Sequence, residues 1–155
     1  MDAYTAFKIV HMLGIVLFLG NIIVTGVWKV AADRTKNPQV IAFAQRLVTL
    51  TDWVFTVGGV ILILIGGNGM AFVAGYGLTS TSWLVWGQAL FAASGVIWLA
   101  ILIPVQIWQA RIARRFENGT EIPPLYWRLN RQWYIWGTLA TVIPLANLYV
   151  MVAKP

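Results

Sequence analysis

Hydrophobic positions in this chain come in long unbroken runs. Between Lys8 and Lys29 lie 20 residues without a fixed charge, from Trp53 to Ala110 run 58 more, and from Gln132 to Ala153 another 22. A helix needs about 20 apolar residues to cross the hydrocarbon of a bilayer. The first and last runs therefore each predict one span and the middle run predicts two. The middle run breaks where Gly, Ser and Thr concentrate, between Gly66 and Ser82. The pattern predicts an all-α, four-transmembrane-helix bundle in a single domain, 1–155, with helices at about 4–30, 48–73, 82–110 and 131–153. The alternation of a β-barrel strand is absent.

Composition agrees with the runs. Hydrophobic residues make up 59% of the 155 and charged ones 10%, against roughly a quarter charged in soluble domains. The net charge of +6 is unevenly spread. Lys29, Arg34, Lys36 and Arg46 flank the first connection, and Arg111, Arg114, Arg115, Arg128 and Arg131 flank the third, which is nine of the eleven basic residues. The second connection has none. Basic residues stay on the cytoplasmic side, so both termini are expected on the outer, periplasmic side of a bacterial inner membrane crossed several times. The charges then mark topology and contact with anionic lipid heads. No groove-reading motif accompanies them, which argues against a nucleic-acid partner. The chain has no cysteine, so disulfides, thiolate catalysis, cysteine-ligated clusters and covalent c-type haem are excluded. The first apolar run is too long for a signal-peptide core and reads as an uncleaved helix. The stretch 116–124 reads as irregular.

Within the spans, small and polar residues fall on seams with helical spacing. The first helix offers His11, Gly14, Phe18, Asn21, Thr25 and Trp28; the second Asp52, Thr56, Gly59, Ile63, Gly66 and Met70. The third offers Gln88, Ala92, Gly95, Leu99, Leu102, Gln106 and Gln109. The fourth offers Tyr134, Gly137, Thr141, Pro144 and Leu148, with Asn147 beside them. Most of these positions are packing, since small residues let helices approach closely. The polar ones are functional candidates, because polar groups in hydrocarbon are costly. Antiparallel spans sort them into an outer layer (His11, Gln88, Asn147, Met70, Met151) and an inner layer (Asp52, Gln106, Asn130, with Arg46 and Arg131).

His11 is the one histidine. A bundle-core imidazole can ligate haem iron, with Met70 or Met151 or an open site opposite, can hydrogen-bond a quinone or relay a proton, or can make one interhelical hydrogen bond. Asp52 is expected to open the second helix at its basic end, paired with Arg46, Lys29 or Arg131. Pro104 and Pro144 are expected to kink the third and fourth helices and open space between them. Trp28, Trp98 and Trp108 are candidates to line a pocket, and the other tryptophans near helix ends read as interfacial anchors.

The first helix, Phe7-Lys8-Ile9-Val10-His11-Met12-Leu13-Gly14 with Leu19-Gly20-Asn21 and Thr25-Gly26-Val27-Trp28-Lys29, resembles a family of small bacterial predicted integral membrane proteins of unknown function. Ala32-Asp33-Arg34-Thr35, Leu50-Thr51-Asp52-Trp53-Val54-Phe55 and Ile103-Pro104-Val105-Gln106 extend the resemblance over most of the chain. More distantly, Lys8-Ile9-Val10-His11 with Gly20 is similar to the first helix of HemJ-type protoporphyrinogen oxidases and CopD-like copper-resistance proteins. That resemblance implies haem b on His11, with Asn21, Gln88, Met70 and Met151 as neighbouring cofactor candidates. Those oxidases carry a lysine in the third helix where this chain has Gln88, so haem or quinone binding is implied and their oxidation scheme is not.

Three functions follow as expectations. The first is tetrapyrrole- or quinone-linked redox chemistry on haem b. The second is an accessory subunit or scaffold in a homo-oligomer or larger membrane complex. The third is a proton-coupled carrier using Asp52 and His11, against which stand the lack of an inverted repeat and the single carboxylate inside the helices.

Overall fold

The computed structural model describes residues 1–119 and 121–155. Four helical spans are long and apolar enough to cross a membrane: Ala3–Arg34, Pro38–Val73, Ser82–Phe116 and Pro124–Ala153. The first is α1 (Ala3–Arg34). The second consists of α2 (Pro38–Thr51), a π-helical turn (Asp52–Thr56) and α3 (Val57–Val73). The third consists of α4 (Ser82–Ile97), a second π-helical turn (Trp98–Leu102) and α5 (Ile103–Phe116). The fourth is α6 (Pro124–Ala153).

Local chemistry sets the ends. Asp2 caps α1 by accepting from the Thr5 N–H at 2.7 Å. Asn37 caps α2 through the Gln39 N–H at 2.9 Å, with Pro38 at the first helical position. The second span stops at Gly75, whose φ of +70° favours glycine. There the Tyr76 N–H bonds Ala71 O and the Gly75 N–H bonds Phe72 O, the paired closure of a Schellman motif.

The helices outrun the expected boundaries at the basic end. Connections shrink to 35–37 and 117–123, of which Thr120 lies outside the described residues. The apolar runs report where hydrocarbon ends, but a helix continues as long as its backbone is bonded. At a 1.5 Å rise, α1 is roughly 48 Å long against a hydrocarbon thickness of about 30 Å. The extensions build a small core of their own from Ile41, Ala42, Ile112, Ala113, Phe116 and Tyr126. Arg46 and Glu117 pair across its surface. Asp52 therefore does not open a helix; it lies inside the second span, at its π-turn.

The spans form two hairpins. α1 lies along α3 in the most extensive interface of the molecule, and α4 lies along α6. The backbones of α3 and α4 do not approach closely and that of α1 meets α6 only sparsely, so the hairpins join chiefly through α2, α5 and α6 at the basic end. Both termini sit at the other end with the 74–81 connection. Lys154 there lies over the Trp83 ring at 4.8 Å.

Backbone contact explains how tightly the first hairpin closes. A Cβ at Gly14 would stand 2.7 Å from Ile63 N and 2.8 Å from Gly59 O, and one at Gly59 would stand 2.8 Å from Phe18 N. Only glycine permits that approach, and without a hydrophobic force between helices in lipid such van der Waals contact is the main attraction.

The second π-turn accounts for a register error in the third seam. One extra residue enters the helix where the Ile103 N–H bonds Trp98 O instead of Leu99 O. Beyond it Leu102, Gln106 and Gln109 are buried as expected. Before it the buried residues are Leu84, Gly87 and Ser94, while Gln88 and Ala92, like Leu99 within the turn, are exposed. Pro104 follows this turn directly, and the widened turn relieves its ring against the preceding carbonyls. In α6 Pro144 is buried as expected, while the rest of the buried line runs one residue before the expected one, through Trp133, Ala140 and Asn147.

Candidate functional site

Two cavities separate the hairpins, one in each half of the bundle. The cavity near the termini holds about 100 Å³ and is lined by His11, Gln88, Asn147 and Met151 among apolar residues that include Phe18, Phe91 and Pro144. His11 Nδ1 lies 2.9 Å from the Ile63 carbonyl oxygen. A carbonyl only accepts, so Nδ1 carries a proton and donates, and Nε2 takes no part in this bond. The ring packs on glycine: a Cβ at Gly67 would stand 3.2 Å from His11 Cε1 and Nδ1. Asn147 Oδ1 is buried without a partner. Gln88 turns its amide to the Leu78 carbonyl at 3.1 Å.

A histidine whose Nδ1 is held by a carbonyl is suited to offer Nε2 to a metal. The space around it, however, does not suit a haem. Drug-sized ligands occupy roughly 300–1,000 Å³, whereas about 100 Å³ holds only a few waters, at about 30 Å³ each. The residues present do not fit the macrocycle. Of the other residues grouped with His11, Met70 is not among the cavity walls. Asn21 lies ten residues farther along α1, roughly 15 Å away at the helical rise.

The second cavity occupies the basic half, between α1 and α6, and holds about 580 Å³. Its walls are mostly apolar, with Trp98 and Trp133 contributing rings, and both π-turns face it. Loosened turns of this kind recur at functional sites because they redirect a side chain without breaking the helix. Here the first π-turn delivers Asp52 and Thr56, the second Trp98 and Leu102.

Asp52 is 8% exposed and bonded from three directions. Asn21 Nδ2 donates to its Oδ1 at 2.9 Å, Thr56 Oγ1 to the same oxygen at 3.0 Å, and Gln106 Nε2 to Oδ2 at 2.6 Å. Asn21 also donates to Thr56 Oγ1 at 2.9 Å and accepts from Thr25 at 3.3 Å. These partners come from three spans and all are neutral. The expected ion pair to Arg46, Lys29 or Arg131 does not form: Arg46 meets Glu117, and Lys29 meets Asp33.

Lys29 and Asp33 form the part of the site that the seams missed. Lys29 is 1% exposed, in spite of its charge. Its Nζ lies 3.1 Å from Asp33 Oδ2 and donates to Tyr126 Oη at 3.0 Å. The ammonium also stands over the Tyr126 and Trp133 rings at 5.3 and 5.6 Å. Asp33 Oδ2 accepts from Asn130 Nδ2 at 2.9 Å and from Tyr134 Oη at 2.5 Å. Gln109 bonds Asn130 at 3.2 Å. This network ties α1 to α6. The signal for it was present as an i,i+4 pair of opposite charges, and a seven-residue seam drifts by about 20° per heptad on a straight helix. After two heptads the buried position moves from Trp28 to Lys29. Ser94, which faces the same cavity and donates to Ala140 O at 3.0 Å, was hidden by the π-turn shift. Trp98 lines the chamber as expected, whereas Trp108 lies outside it, exposed beneath Arg111.

Residues 5–155 match the family model described as Predicted integral membrane protein (DUF2269), and the chain belongs to that family. No curated protein and no solved structure matches it. It is an integral membrane protein, and four helices among the described residues are long and apolar enough to cross the bilayer.

Proposed function

We propose that this protein binds a lipid-soluble ring compound with hydrogen-bonding groups at its edge, the quinone class, in the chamber between the hairpins. The observation that carries this reading is a chamber of about 580 Å³ with apolar and aromatic walls, into which Asp52 and Thr56 project from one hairpin and Gln106, Ser94, Tyr134 and Thr141 from the other. Its volume falls in the usual range for small-molecule sites, and few polar groups in an apolar cavity fix a ligand's orientation. Access is from the side. Ile23, Val27 and Val142 belong both to the chamber wall and to the exposed apolar surface, so a molecule dissolved in the bilayer reaches Asp52 between α1 and α6.

Asp52 supplies the recognition. Its carboxylate is preorganised by three neutral donors and accepts a further hydrogen bond from a ligand hydroxyl. The His11 cavity, which does not fit a haem, serves packing in this reading. The nine basic residues around the first and third connections support an orientation with that end in the cytoplasm of a bacterial cell.

The test is a fluorescence titration of the detergent-purified protein with a short-chain quinol, the reduced form whose hydroxyl donates, since Trp98 and Trp133 line the chamber. Saturable one-to-one quenching is expected, weakened about tenfold in Asp52→Asn, as removal of a carboxylate acceptor predicts. Quenching that rises linearly with quinol and is the same in Asp52→Asn would overturn the reading.

A further inference from the structure

A third cavity lies below the chamber at the basic end, where α1 finishes and α6 begins. It holds about 530 Å³ and is walled by Asp33, Arg34, Lys36, Trp127, Asn130 and Tyr134, with Val30. Arg34 and Tyr134 also belong to the chamber wall, so these residues stand between the two spaces.

The charge of this groove is set from behind. Its one acid, Asp33, is neutralised by buried Lys29 and receives further hydrogen bonds from Asn130 and Tyr134. Among the described residues the ion pairs are Lys29–Asp33 and Arg46–Glu117, so Arg34 and Lys36 face the groove with uncompensated charge. A guanidinium presents paired N–H donors that match a phosphate, and a neighbouring ammonium adds a point charge. The groove also has an apolar side. Val30 lies in its wall, and one turn farther along α1 Val27 is 66% exposed, so the cationic pair borders a surface that faces lipid chains. Trp127 adds an indole at the same level, the residue type enriched where membrane meets water. A soluble anion has no use for that apolar border. A phospholipid matches both sides of it.

We infer that this groove is a binding site for the phosphate headgroup of one anionic phospholipid, held by Arg34 and Lys36 while its chains stay in the bilayer along α1. The site shares Arg34 and Tyr134 with the chamber wall, but neither Asp52 nor its hydrogen-bond partners take part in it.

The experiment is native mass spectrometry of the full chain in detergent, titrated with phosphatidylglycerol or phosphatidylcholine, for the unaltered protein and two double variants. The unaltered protein is expected to retain one phosphatidylglycerol at concentrations where phosphatidylcholine is lost. Arg34→Gln/Lys36→Gln is expected to weaken that retention about ten- to thirtyfold, at roughly 1 kcal/mol per basic residue. Arg111→Gln/Arg128→Gln removes the same charge from exposed positions outside the groove and is expected to leave retention unchanged. Both variants alter exposed side chains, and an unchanged melting temperature verifies that they fold. Equal retention of the two lipids, equal loss in both variants, or displacement by millimolar inorganic phosphate would overturn the inference. The last outcome would identify a soluble anion as the occupant.

Discussion

α1 is held by its two neighbours in opposite ways. Against α3 it is dry and close, with Gly14 meeting Gly59 and Gly66 meeting the backbone of His11. Against α6 it is polar and spaced, with Lys29 and Asp33 reaching Tyr126, Asn130 and Tyr134 across the gap. The first mode leaves no room for anything between the helices. The second holds them at side-chain length and leaves a chamber above the network and a groove below it. In a bilayer both modes give association, one through packing and the other through hydrogen bonds. Only the second creates space with chemistry in it.

Four substitutions break or sharpen that contrast. Lys29→Met has the largest expected effect, about 3–5 kcal/mol of destabilisation, because it leaves Asp33 charged and unpaired in a buried place. Unfolding in a denaturing-detergent titration measures it, and the double variant Lys29→Met/Asp33→Asn is expected to regain most of the loss. Gly66→Ala strikes the dry interface. Its Cβ would stand 2.7 Å from His11 Cα, so the backbones must separate, at an overpacking cost of about 1–3 kcal/mol in the same titration.

Gln45→Leu is expected to work in the other direction. Gln45 is fully buried, and neither amide atom has a hydrogen-bond partner. Exchanging that amide for an apolar group of similar size is expected to stabilise the protein by about 1–2 kcal/mol, as a raised melting temperature. His11→Ala has the smallest effect expected. It removes one hydrogen bond to Ile63 O and costs about 0.5–1.5 kcal/mol, with the quinol titration unchanged.

The number of spans was legible because twenty uncharged residues in a row have few other uses, and the inner polar layer of Asp52 and Gln106 could be read from seam spacing. Other features depend on facts that a one-dimensional pattern does not carry. Helix ends were placed where charge begins, although α2 and the start of α6 carry charge and remain helical around their own small core. The register of α4 depended on one residue inserted at Trp98–Leu102, and nothing in the apolar run marks that insertion. Lys29 resembled its basic neighbours. Its burial follows from Asp33 one turn away and from the aromatic residues that α6 brings to it. The grouping of Asn21 with His11 failed because both lie on one face of α1 but at different depths, one beside each cavity.

The claim that chemistry resides in the spaced half of the bundle is tested most directly by filling each cavity in turn. Gly137→Phe places a ring in the chamber, and Phe91→Trp enlarges a wall of the His11 cavity. Saturation binding of a short-chain quinol to the two variants is the measurement. Binding lost in Gly137→Phe and kept in Phe91→Trp is the predicted result; binding kept in Gly137→Phe and lost in Phe91→Trp would contradict it.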